Sequence, residues 1–580
     1  MARKNEAVAT LLESIAKLLA LKGENPFRIR AYEEAARAIT ATSEDVEALH
    51  RAGRLTELHG VGESIAAKIA EFLDTGRSTY YEQLKAQVPE AAAELLEVPS
   101  IGPARAQLLT ERLGITTIAD LQLAAREHRL CTLPGFGEKL EQRIAREAAR
   151  VAQRTKRMLL GVALPAAEEV VGLLQGHAAV LQAHPAGSIR RMKETIGDID
   201  VLVASEQPAA VADAFTTLPV VQEVLAKGPT RCSILTKDHL QIDLRVMAPN
   251  VYGAALQYFT GSKEHNIALR SIAIERRWKL SEYGLFDASG RRIAGETEEE
   301  IYRALDMDWM PPELRENRGE IEAAQRHRIP RLVTLEDIQG DLHVHTDWSD
   351  GHDPPHRMVE GAIARGYHYL ALTDHSQSLG VARGLSPDDV RRQRRLVDEL
   401  NERYAPFRVL HGTEVNIRTD GTLDYPDDVL AEFDLVTAAV HSAFSQSRQR
   451  MTDRIIRALR HPLVHALSHP TGRRLLRRPE YEVELDAVLK VAAEEGVALE
   501  VNGQPDRLDL DDVWTRRAIE AGVMLVCDSD AHSALHLDYM RYSVATARRG
   551  WAEPRHVLNT LPLSRLLAHL NRRRRRPRAA

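Results

Sequence analysis

The 580-residue sequence predicts a multidomain protein with a helical N-terminal region, a central α/β region and a C-terminal β/α barrel. Three observations lead to this prediction. Short glycine turns followed by amphipathic helices recur in the N-terminal quarter, and an apolar strand with paired aspartates lies near residue 200. Metal-binding side chains follow successive apolar runs between residues 341 and 532. The length itself fits three or four domains of about 150 residues each.

Composition limits the class of protein. The three cysteines, Cys131, Cys232 and Cys527, stand in unrelated contexts without a C-x-x-C pair, so we expect a reducing cytosol and no disulfide framework. Apolar residues recur with helical period over residues 11–19, which predicts an amphipathic core helix rather than a signal peptide. No run of eighteen apolar residues occurs, so we expect no membrane association.

The net charge of the chain does not indicate a nucleic-acid-binding protein. It is −6, with an isoelectric point near 6.5, whereas DNA-binding domains are usually strongly basic. Without the arginines of the C-terminal tail it would be more negative still, and we expect that tail to be a solvated end. DNA binding must therefore depend on local patches and backbone amides.

Local features of this kind occur in three segments, 58–69, 98–109 and 133–144, each with an apolar residue, a glycine turn and an amphipathic helix. Small residues let the amides of such a turn face a phosphate at a helix N-terminus. A single copy would be weak evidence, because glycine pairs are also ordinary helix connectors. Three copies, the second of them degenerate, predict helix-hairpin-helix motifs that bind the DNA backbone. The candidate contacts are Gly60, Gly62, Lys68, Gly102, Arg105, Gly135, Gly137 and Lys139.

A group of aspartates follows in the central region. In G-D-I-D-V-L-V, Asp198 and Asp200 project from the same face of a predicted buried strand, where carboxylates repel each other unless metal ions lie between them. The alternating segment 240–246 adds Asp243. The alternative interpretation is a surface strand with incidental acids. Three aspartates and a Gly-Ser turn able to hold a triphosphate favour two-metal nucleotidyl transfer.

The C-terminal region contains nine metal-binding side chains in five short blocks. They are His343, His345, Asp350, His375, Glu414, His441, His469, Asp530 and His532. A single zinc site needs about four ligands, so this set predicts two or three divalent ions, a cluster typical of phosphate-ester hydrolysis. The alternative is a region that is merely rich in histidine. The pattern argues against it, since H-x-H places both rings on one strand face and the other blocks end or follow strand candidates.

The five blocks resemble the signature of the PHP family (polymerase and histidinol phosphatase), from about Gly340 to the C-terminal region. The resemblance implies a distorted β/α barrel with a trinuclear metal centre, holding two or three Mn²⁺ or Zn²⁺ ions. By analogy, Glu414 and Asp530 would be shared between metals. One departure is Asn416, where relatives often carry Asp.

The central region resembles the palm of family X DNA polymerases, the group that includes polymerase beta. The matching residues are Gly187, Ser188, Arg190, Arg191, Gly197, Asp198, Asp200 and Asp243. The resemblance implies a deoxynucleotide pocket in which Tyr258 and Phe259 of Y-F-T-G-S filter the sugar. Gly261 belongs to the same motif, and Asn266 and Arg270 would reach the minor-groove edge.

Two residues depart from the polymerase beta pattern. Gln241 stands where polymerase beta has an Arg that orients the third Asp, which alters the tuning of the metal site. Lys263 stands where polymerase beta has an Asp near the incoming base. Lys263 adds a cation near the nucleotide pocket. We therefore expect it to strengthen nucleotide binding even when the incoming base does not pair correctly with the template.

The order of the two regions resembles bacterial family X DNA polymerases with a C-terminal PHP domain, over nearly the whole chain. The resemblance implies a monomer that fills short gaps during base excision or end repair, using Mg²⁺ or Mn²⁺ in the palm. Its substrates would be gapped or nicked DNA and deoxynucleoside triphosphates, and its PHP domain would be a manganese-dependent 3′-5′ exonuclease. Lys68 matches the lysine of polymerase beta that forms a Schiff base when a 5′ sugar phosphate is removed. Arg28 and Tyr32 match residues that bind the 5′ phosphate there. An ammonium near phosphates normally stays protonated, so we expect Lys68 to be a phosphate contact.

Turns and prolines give the expected domain boundaries. These are a helical N-terminal domain 1–82, helix-hairpin-helix fingers 83–150, a palm 151–260, a thumb 261–315, a linker 316–338, a PHP domain 339–571 and a basic tail 572–580. Two other functions compete with the polymerase. A small-molecule phosphatase with an accessory DNA-binding region would not need the three palm aspartates. A non-catalytic DNA scaffold would not need complete ligand sets at both sites.

Overall fold

The structure is a computed structural model. It describes residues 2–574 except 22–23, 42–45, 59, 76–77, 88–94, 96–97, 99, 155–156 and 380–381. Most of the predicted basic tail therefore lies outside the described residues. The chain divides into two compact units, Met1–Arg157 and Met158–Ala580.

The described part of the first unit is helical. Its first half contains α1 (Ala2–Leu21), α2 (Pro26–Ala41), α3 (Val46–Arg51), α4 (Glu63–Thr75) and α5 (Thr79–Gln87). Its second half contains α6 (Pro103–Leu113), α7 (Ile118–Arg126) and α8 (Glu138–Arg154). The predicted amphipathic helix is confirmed as α1, because Leu12, Ile15 and Leu19 recur at helical spacing and are buried. Each half packs around a separate apolar core.

Each of the three predicted glycine turns precedes a helix, as expected. The turns share one hydrogen-bond pattern, in which an apolar residue donates its amide three residues back: Val61 to Leu58 (3.0 Å), Ile101 to Val98 (2.8 Å) and Phe136 to Leu133 (3.1 Å). The following helices begin with bonds to the carbonyls of Gly62, Gly102 and Gly137. The second copy is degenerate in sequence but makes the same backbone hydrogen bonds.

The second unit begins with a five-stranded sheet, which we call the palm together with its helices. Its strands lie in the order β2 (Gln182–Pro185), β4 (Ile199–Ala204), β7 (Gln241–Met247), β6 (Arg231–Thr236) and β5 (Val221–Lys227). A short pair, β1 (Met158–Leu159) and β3 (Thr195–Ile196), lies beside it, with helices α9 (Leu160–Gln175), α10 (Gly187–Arg190) and α11 (Pro208–Thr216). Strands β4 and β7 are parallel, which brings the carboxylate-bearing segments side by side.

The thumb follows the palm. It comprises α12 (Tyr252–Thr260), α13 (Lys263–Glu275), a small sheet of β8 (Lys279–Ser281), β9 (Gly284–Phe286) and β10 (Arg292–Ala294), and α14 (Glu298–Ala304). The segment expected to be a linker forms α15 (Glu320–Gln325), whose Ile321 and Ala324 pack into the thumb core. The reason is their i, i+3 spacing, together with a 2.7 Å hydrogen bond that Glu320 accepts from His265.

The C-terminal region is a seven-stranded parallel sheet whose strands follow chain order, so the predicted distorted β/α barrel is confirmed. The strands are β11 (Gly340–Val344), β12 (Tyr369–Leu372), β13 (Arg408–Asn416), β14 (Leu435–Ala439), β15 (Ala466–Leu467), β16 (Ala498–Asn502) and β17 (Leu525–Asp528). Val344 bridges Ala531, so the first strand meets the end of the last. The helices are α16 (Pro355–Ala364), α17 (Pro387–Arg403), α18 (Asp427–Leu430), α19 (Arg448–Leu459), α20 (Leu485–Glu495), α21 (Asp512–Glu520), α22 (Met540–Arg549) and α23 (Leu563–Arg574).

The palm and the barrel share an apolar interface. Leu508 and Tyr542 of the barrel are buried in the palm core, and Arg473 of the barrel donates to Glu194 of the palm at 2.7 Å. Glu194 lies directly before the strand that leads to the palm aspartates. None of the described helices combines the length and the apolar composition that crossing a membrane requires.

Candidate active sites in the palm and the barrel

The palm places its three predicted aspartates together. Asp200 and Asp243 are directly paired in the parallel ladder of β4 and β7, and Asp198 immediately precedes β4. Asp243 Oδ1 accepts hydrogen bonds from Ser233 Oγ (2.5 Å) and Gln241 Nε2 (3.1 Å). Gln241, which departs from the polymerase beta pattern, thus orients Asp243 through an uncharged donor. Sequence reasoning missed Ser233, which pairs with Asp243 across the neighbouring strand.

The local charge makes this site unfavourable without cations. Burial, followed by the charges of Asp198 and Asp243, raises the pKa of Asp200 to about 6. A raised carboxyl pKa means that the folded protein resists the ionised form. Divalent cations at the three carboxylates would remove this repulsion, so the residues fit a metal site.

Replacing Asp200 with Asn should stabilise the metal-free protein at pH 8. Because the pKa in the folded state is higher than in the unfolded state, ionised Asp200 lowers the free energy of unfolding above pH 6, and this penalty fades as the pH falls. The expected gain at pH 8 is at most about 3 kcal/mol. Thermal unfolding in EDTA at pH 8 and pH 5 measures it, with Glu206→Gln as an exposed control. Equal stability of Asp200→Asn and wild type at pH 8 would contradict it.

The Gly-Ser turn lies directly against the carboxylates. Gly187 has a φ of +62°, and a Cβ atom built there would lie 3.2 Å from Asp200 Oδ2. The positive φ favours glycine, and any larger side chain would push the Asp200 carboxylate out of place by a few tenths of an ångström. Ser188 follows at the start of the short helix α10.

The two arginines after this turn are held by the region that follows the palm. Arg190 makes two hydrogen bonds to Glu298 at 2.7 and 2.8 Å. Arg191, a predicted nucleotide-binding residue, donates to Glu316 at 3.0 Å and to the Thr260 carbonyl at 2.7 Å. Sequence reasoning missed both glutamates, since each lies more than a hundred residues away along the chain.

The residues predicted to bind the nucleotide lie around the end of α12. The rings of Tyr258 and Phe259 meet edge to face at 5.2 Å. Asn266 Nδ2 donates to the carbonyls of Tyr258 (2.7 Å) and Gly261 (3.2 Å), and Arg270 Nε donates to the Asn266 carbonyl at 3.3 Å. These bonds fix the aromatic pair relative to α13. Lys263, the other departure, is exposed in the first turn of that helix.

All nine predicted ligands of the barrel lie in one largely buried cluster at the carboxyl ends of the strands. Potential ligand atoms lie within 4.8 Å of one another in three groups of predicted residues: His345, Asp350, His375 and His532; His343, His345 and Asp530; and His375, Glu414 and His441. His469 Nε2 joins them at 2.7 Å from Glu414. Three overlapping groups fit a cluster of two or three ions better than one mononuclear site.

Glu414 occupies the centre of this cluster. Its Oε1 lies 2.7 Å from His469 Nε2 and 3.2 Å from His441 Nε2. Its Oε2 lies 3.0 Å from His375 Nδ1 and 3.5 Å from His343 Nε2. A carboxylate with different histidines at each oxygen has the arrangement of a bridging ligand.

The electrostatics also fit cations. Burial opposes ionisation of Glu414, yet the surrounding histidines outweigh it and hold the pKa of this carboxyl well below its usual range. Burial, followed by His375 and His532, lowers the pKa of His345 to about 4, so this imidazole stays neutral. Both ring nitrogens of His441 are buried and make no hydrogen bond within the described residues. Burial opposes protonation of His375, but the charges of Asp350 and Glu414 outweigh it and raise the pKa of this imidazole to about 10. A cation bound beside these carboxylates would replace that proton, because metal ligation requires a neutral imidazole.

Sequence reasoning missed the residues that support the ligands. Asp374 is buried and accepts hydrogen bonds from the amide of Thr346 (2.8 Å), Ser349 Oγ (2.5 Å) and Gln393 Nε2 (2.6 Å), which fixes the loop that carries Asp350. Asn416 Nδ2 donates to Ser378 Oγ at 3.0 Å. The T-D-H block already contained Asp374, but only the fold shows its partners.

Four family models match segments of the chain. They are a helix-hairpin-helix domain over residues 3–78, a SAM-like helix-hairpin-helix tandem over 92–150, the DNA polymerase beta thumb over 255–316 and the PHP domain over 341–504. The DNA polymerase/3′-5′ exonuclease PolX of Bacillus subtilis is 37% identical over 568 residues, which cover 97% of this chain and 99% of the relative. The chain belongs to the bacterial family X DNA polymerases with a C-terminal PHP domain.

Other relatives match only part of this family X polymerase. A probable phosphatase of Edwardsiella ictaluri is 29% identical and covers 40% of this chain and 94% of the relative. A probable phosphatase of Shewanella sediminis is 30% identical, with the same coverage. The similarity to these phosphatases therefore covers less than half of the chain.

The helical unit of this family X polymerase brings Lys68, Arg28 and Tyr32 together around Tyr80. Lys68 Nζ lies 4.7 Å from the centre of the Tyr80 ring and donates to Ser64 Oγ at 2.9 Å. Arg28 donates to the Tyr80 hydroxyl at 2.8 Å, and the rings of Tyr32 and Tyr80 stack at 6.3 Å. Burial, followed by the charge of Arg28, lowers the pKa of Lys68. Sequence reasoning missed Tyr80.

We expect Lys68 to contact a phosphate. Replacing Lys68 with Ala should weaken binding to gapped DNA that carries a 5′ phosphate and reduce the salt slope by about one. Titrations at several salt concentrations measure this effect, with the exposed Lys139→Ala variant for comparison. Borohydride treatment on a 5′ deoxyribose phosphate should trap no adduct that depends on Lys68. Such an adduct would instead identify Lys68 as a Schiff-base nucleophile.

Proposed function

We propose that the chain is a DNA-directed DNA polymerase that fills short gaps during DNA repair, and that its PHP domain removes nucleotides from 3′ ends. The observation that carries the proposal is the direct pairing of Asp200 with Asp243 in a chain of which 97% aligns with PolX of Bacillus subtilis. The substrates would be gapped or nicked DNA and deoxynucleoside triphosphates.

In the palm, Asp198, Asp200 and Asp243 would hold Mg²⁺ or Mn²⁺. In the barrel, the nine clustered residues would hold two or three Mn²⁺ or Zn²⁺ ions. The chemistry that such ions supply when bound is neutralisation of phosphate charge and activation of the attacking oxygen. The surrounding residues do the positioning: Gly187 lets the turn approach the carboxylates, and Ser233 and Gln241 orient Asp243.

The nucleotide pocket is proposed around Tyr258 and Phe259, since their edge-to-face packing and the bonds from Asn266 make a fixed wall. Lys263 adds an exposed cation at the start of the adjoining helix. The three glycine turns are proposed to contact the DNA backbone through their amides, because their shared geometry precedes a helix N-terminus each time.

Primer extension on gapped DNA, first with Mg²⁺ and then with Mn²⁺, tests the polymerase. Template-directed filling of the gap is expected with either ion. The second candidate, a small-molecule phosphatase with an accessory DNA-binding region, is favoured only by the partial match of the chain to probable phosphatases. It predicts hydrolysis of a phosphate monoester without extension, and a non-catalytic scaffold predicts DNA binding with neither reaction.

A further inference from the structure

Strand β16 carries none of the nine predicted ligands, yet it places two polar side chains beside them. Glu500 and Asn502 alternate with Leu499 and Val501, so both point to the same side of the strand. Their exposed fractions are 1% and 0%. Burying a carboxylate and an amide is costly unless hydrogen bonds compensate, so their partners indicate why they are there.

Glu500 connects two of the predicted ligands. Its Oε1 accepts a hydrogen bond from His343 Nδ1 at 2.6 Å, and its Oε2 accepts one from the backbone amide of His469 at 2.6 Å. The other ring nitrogen of His343, Nε2, lies 3.5 Å from Glu414 Oε2, inside the cluster. A neutral imidazole carries one ring proton, so holding it on Nδ1 leaves the lone pair of Nε2 free to bind a metal.

Asn502 connects the same carboxylate to a third ligand. Its Nδ2 donates to Asp530 Oδ2 at 3.0 Å and to Glu500 Oε2 at 3.2 Å. Its Oδ1 accepts from the amide of Gln504 at 2.9 Å, which fixes the orientation of the side-chain amide. One oxygen of Asp530 is therefore held by Asn502, while Oδ1 lies 3.3 Å from His345 Nε2.

We propose that Glu500 and Asn502 are positioning residues that pre-form the metal cluster of the barrel. Glu500 selects the tautomer of His343 and locates the backbone of His469, and Asn502 orients the carboxylate of Asp530. The inference rests on the proposed metal cluster. Partners of this kind behind a ligand typically change metal affinity about 10- to 100-fold.

A competing arrangement makes Glu500 itself a ligand. Potential ligand atoms of His343, Glu500 and Asp528 lie within 4.8 Å of one another. The number of ions bound at saturating metal concentration distinguishes the two roles. Loss of a direct metal ligand lowers the number of ions bound at saturation. Loss of a positioning residue weakens metal affinity and leaves that number unchanged.

The test is a manganese titration of the full-length metal-free protein, which measures affinity and the number of ions bound. Glu500→Ala and Asn502→Ala should each weaken binding about 10- to 100-fold with an unchanged number of ions at saturation. Glu500→Gln should weaken it less, because its side-chain carbonyl still accepts from His343. Glu494→Gln, an exposed carboxylate on the preceding helix, is the matched control and should bind as wild type does.

Thermal unfolding of each variant shows whether its barrel folds. Where Glu500→Ala does not fold, Glu500→Gln and Asn502→Ala test the proposal. Unchanged affinity in the Glu500 and Asn502 variants overturns the proposal, and fewer bound ions at saturation make Glu500 a ligand instead. A wild type that binds no manganese overturns the metal cluster itself.

Discussion

Replacing Asp198 and Asp200 with Ala will abolish nucleotide addition on a gapped duplex while 3′-end degradation continues. We assign the palm metals to these carboxylates and to Asp243, and the candidate ligands of the barrel lie a hundred residues or more further along the chain. The expected loss is three decades in rate or more, which corresponds to about 4 kcal/mol of transition-state stabilisation.

Single-nucleotide insertion into a labelled gap measures this loss, and digestion of the same substrate without nucleotides measures the second activity. Asp213→Ala, which removes an exposed carboxylate of the same domain, should retain both activities. Loss of both activities in the Asp198 and Asp200 variant would show that the two sites are not separable. Retained insertion would refute the assignment of the palm metals.

Replacing His343 or Asp530 with Ala will remove bound metal and 3′-5′ digestion together, and will leave gap filling largely intact. His343 Nε2 lies 3.7 Å from Asp530 Oδ1 in the buried cluster, so each change removes a ligand from the same group. Manganese should support digestion better than magnesium, because imidazole-rich sites favour transition metals and magnesium prefers oxygen ligands.

The measurement is metal content alongside digestion of labelled single-stranded and gapped DNA. His356→Ala, which removes an exposed histidine of the same domain, is the matched control and should retain metal and digestion. Undiminished digestion by the metal-depleted His343 variant would exclude a nuclease role for the cluster. A fully metallated but inactive wild type would indicate a structural or regulatory role.

Much of the fold followed from local patterns. The alternation of apolar residues in 240–246 predicts β7, and the apolar run 369–372 is strand β12. Period and run length are properties of neighbouring residues, so a single sequence is enough to show them. The nine-residue cluster was predictable for the same reason, because each block ends a strand and parallel strands present their carboxyl ends together.

The supporting residues were not predictable from the sequence. Glu298 pairs with Arg190 across more than a hundred residues, and Glu500 reaches His343 across an even longer separation. No local period indicates such contacts. The backbone conformation at two of the predicted ligands was not predictable either. His469 and Asp530 adopt φ values of +31° and +51°, a region that residues other than glycine seldom occupy.

The register of the palm sheet affects how quickly the palm folds. Asp200 and Asp243 face each other only when two parallel strands that are distant in the chain come together, and such pairings close late because the loop between them must first lose its entropy. At neutral pH that closing step also brings two like charges into contact. We therefore expect these carboxylates to raise the barrier to forming the sheet. Divalent ions or mild acid should speed refolding of this domain, which stopped-flow refolding at pH 5 and pH 8 measures.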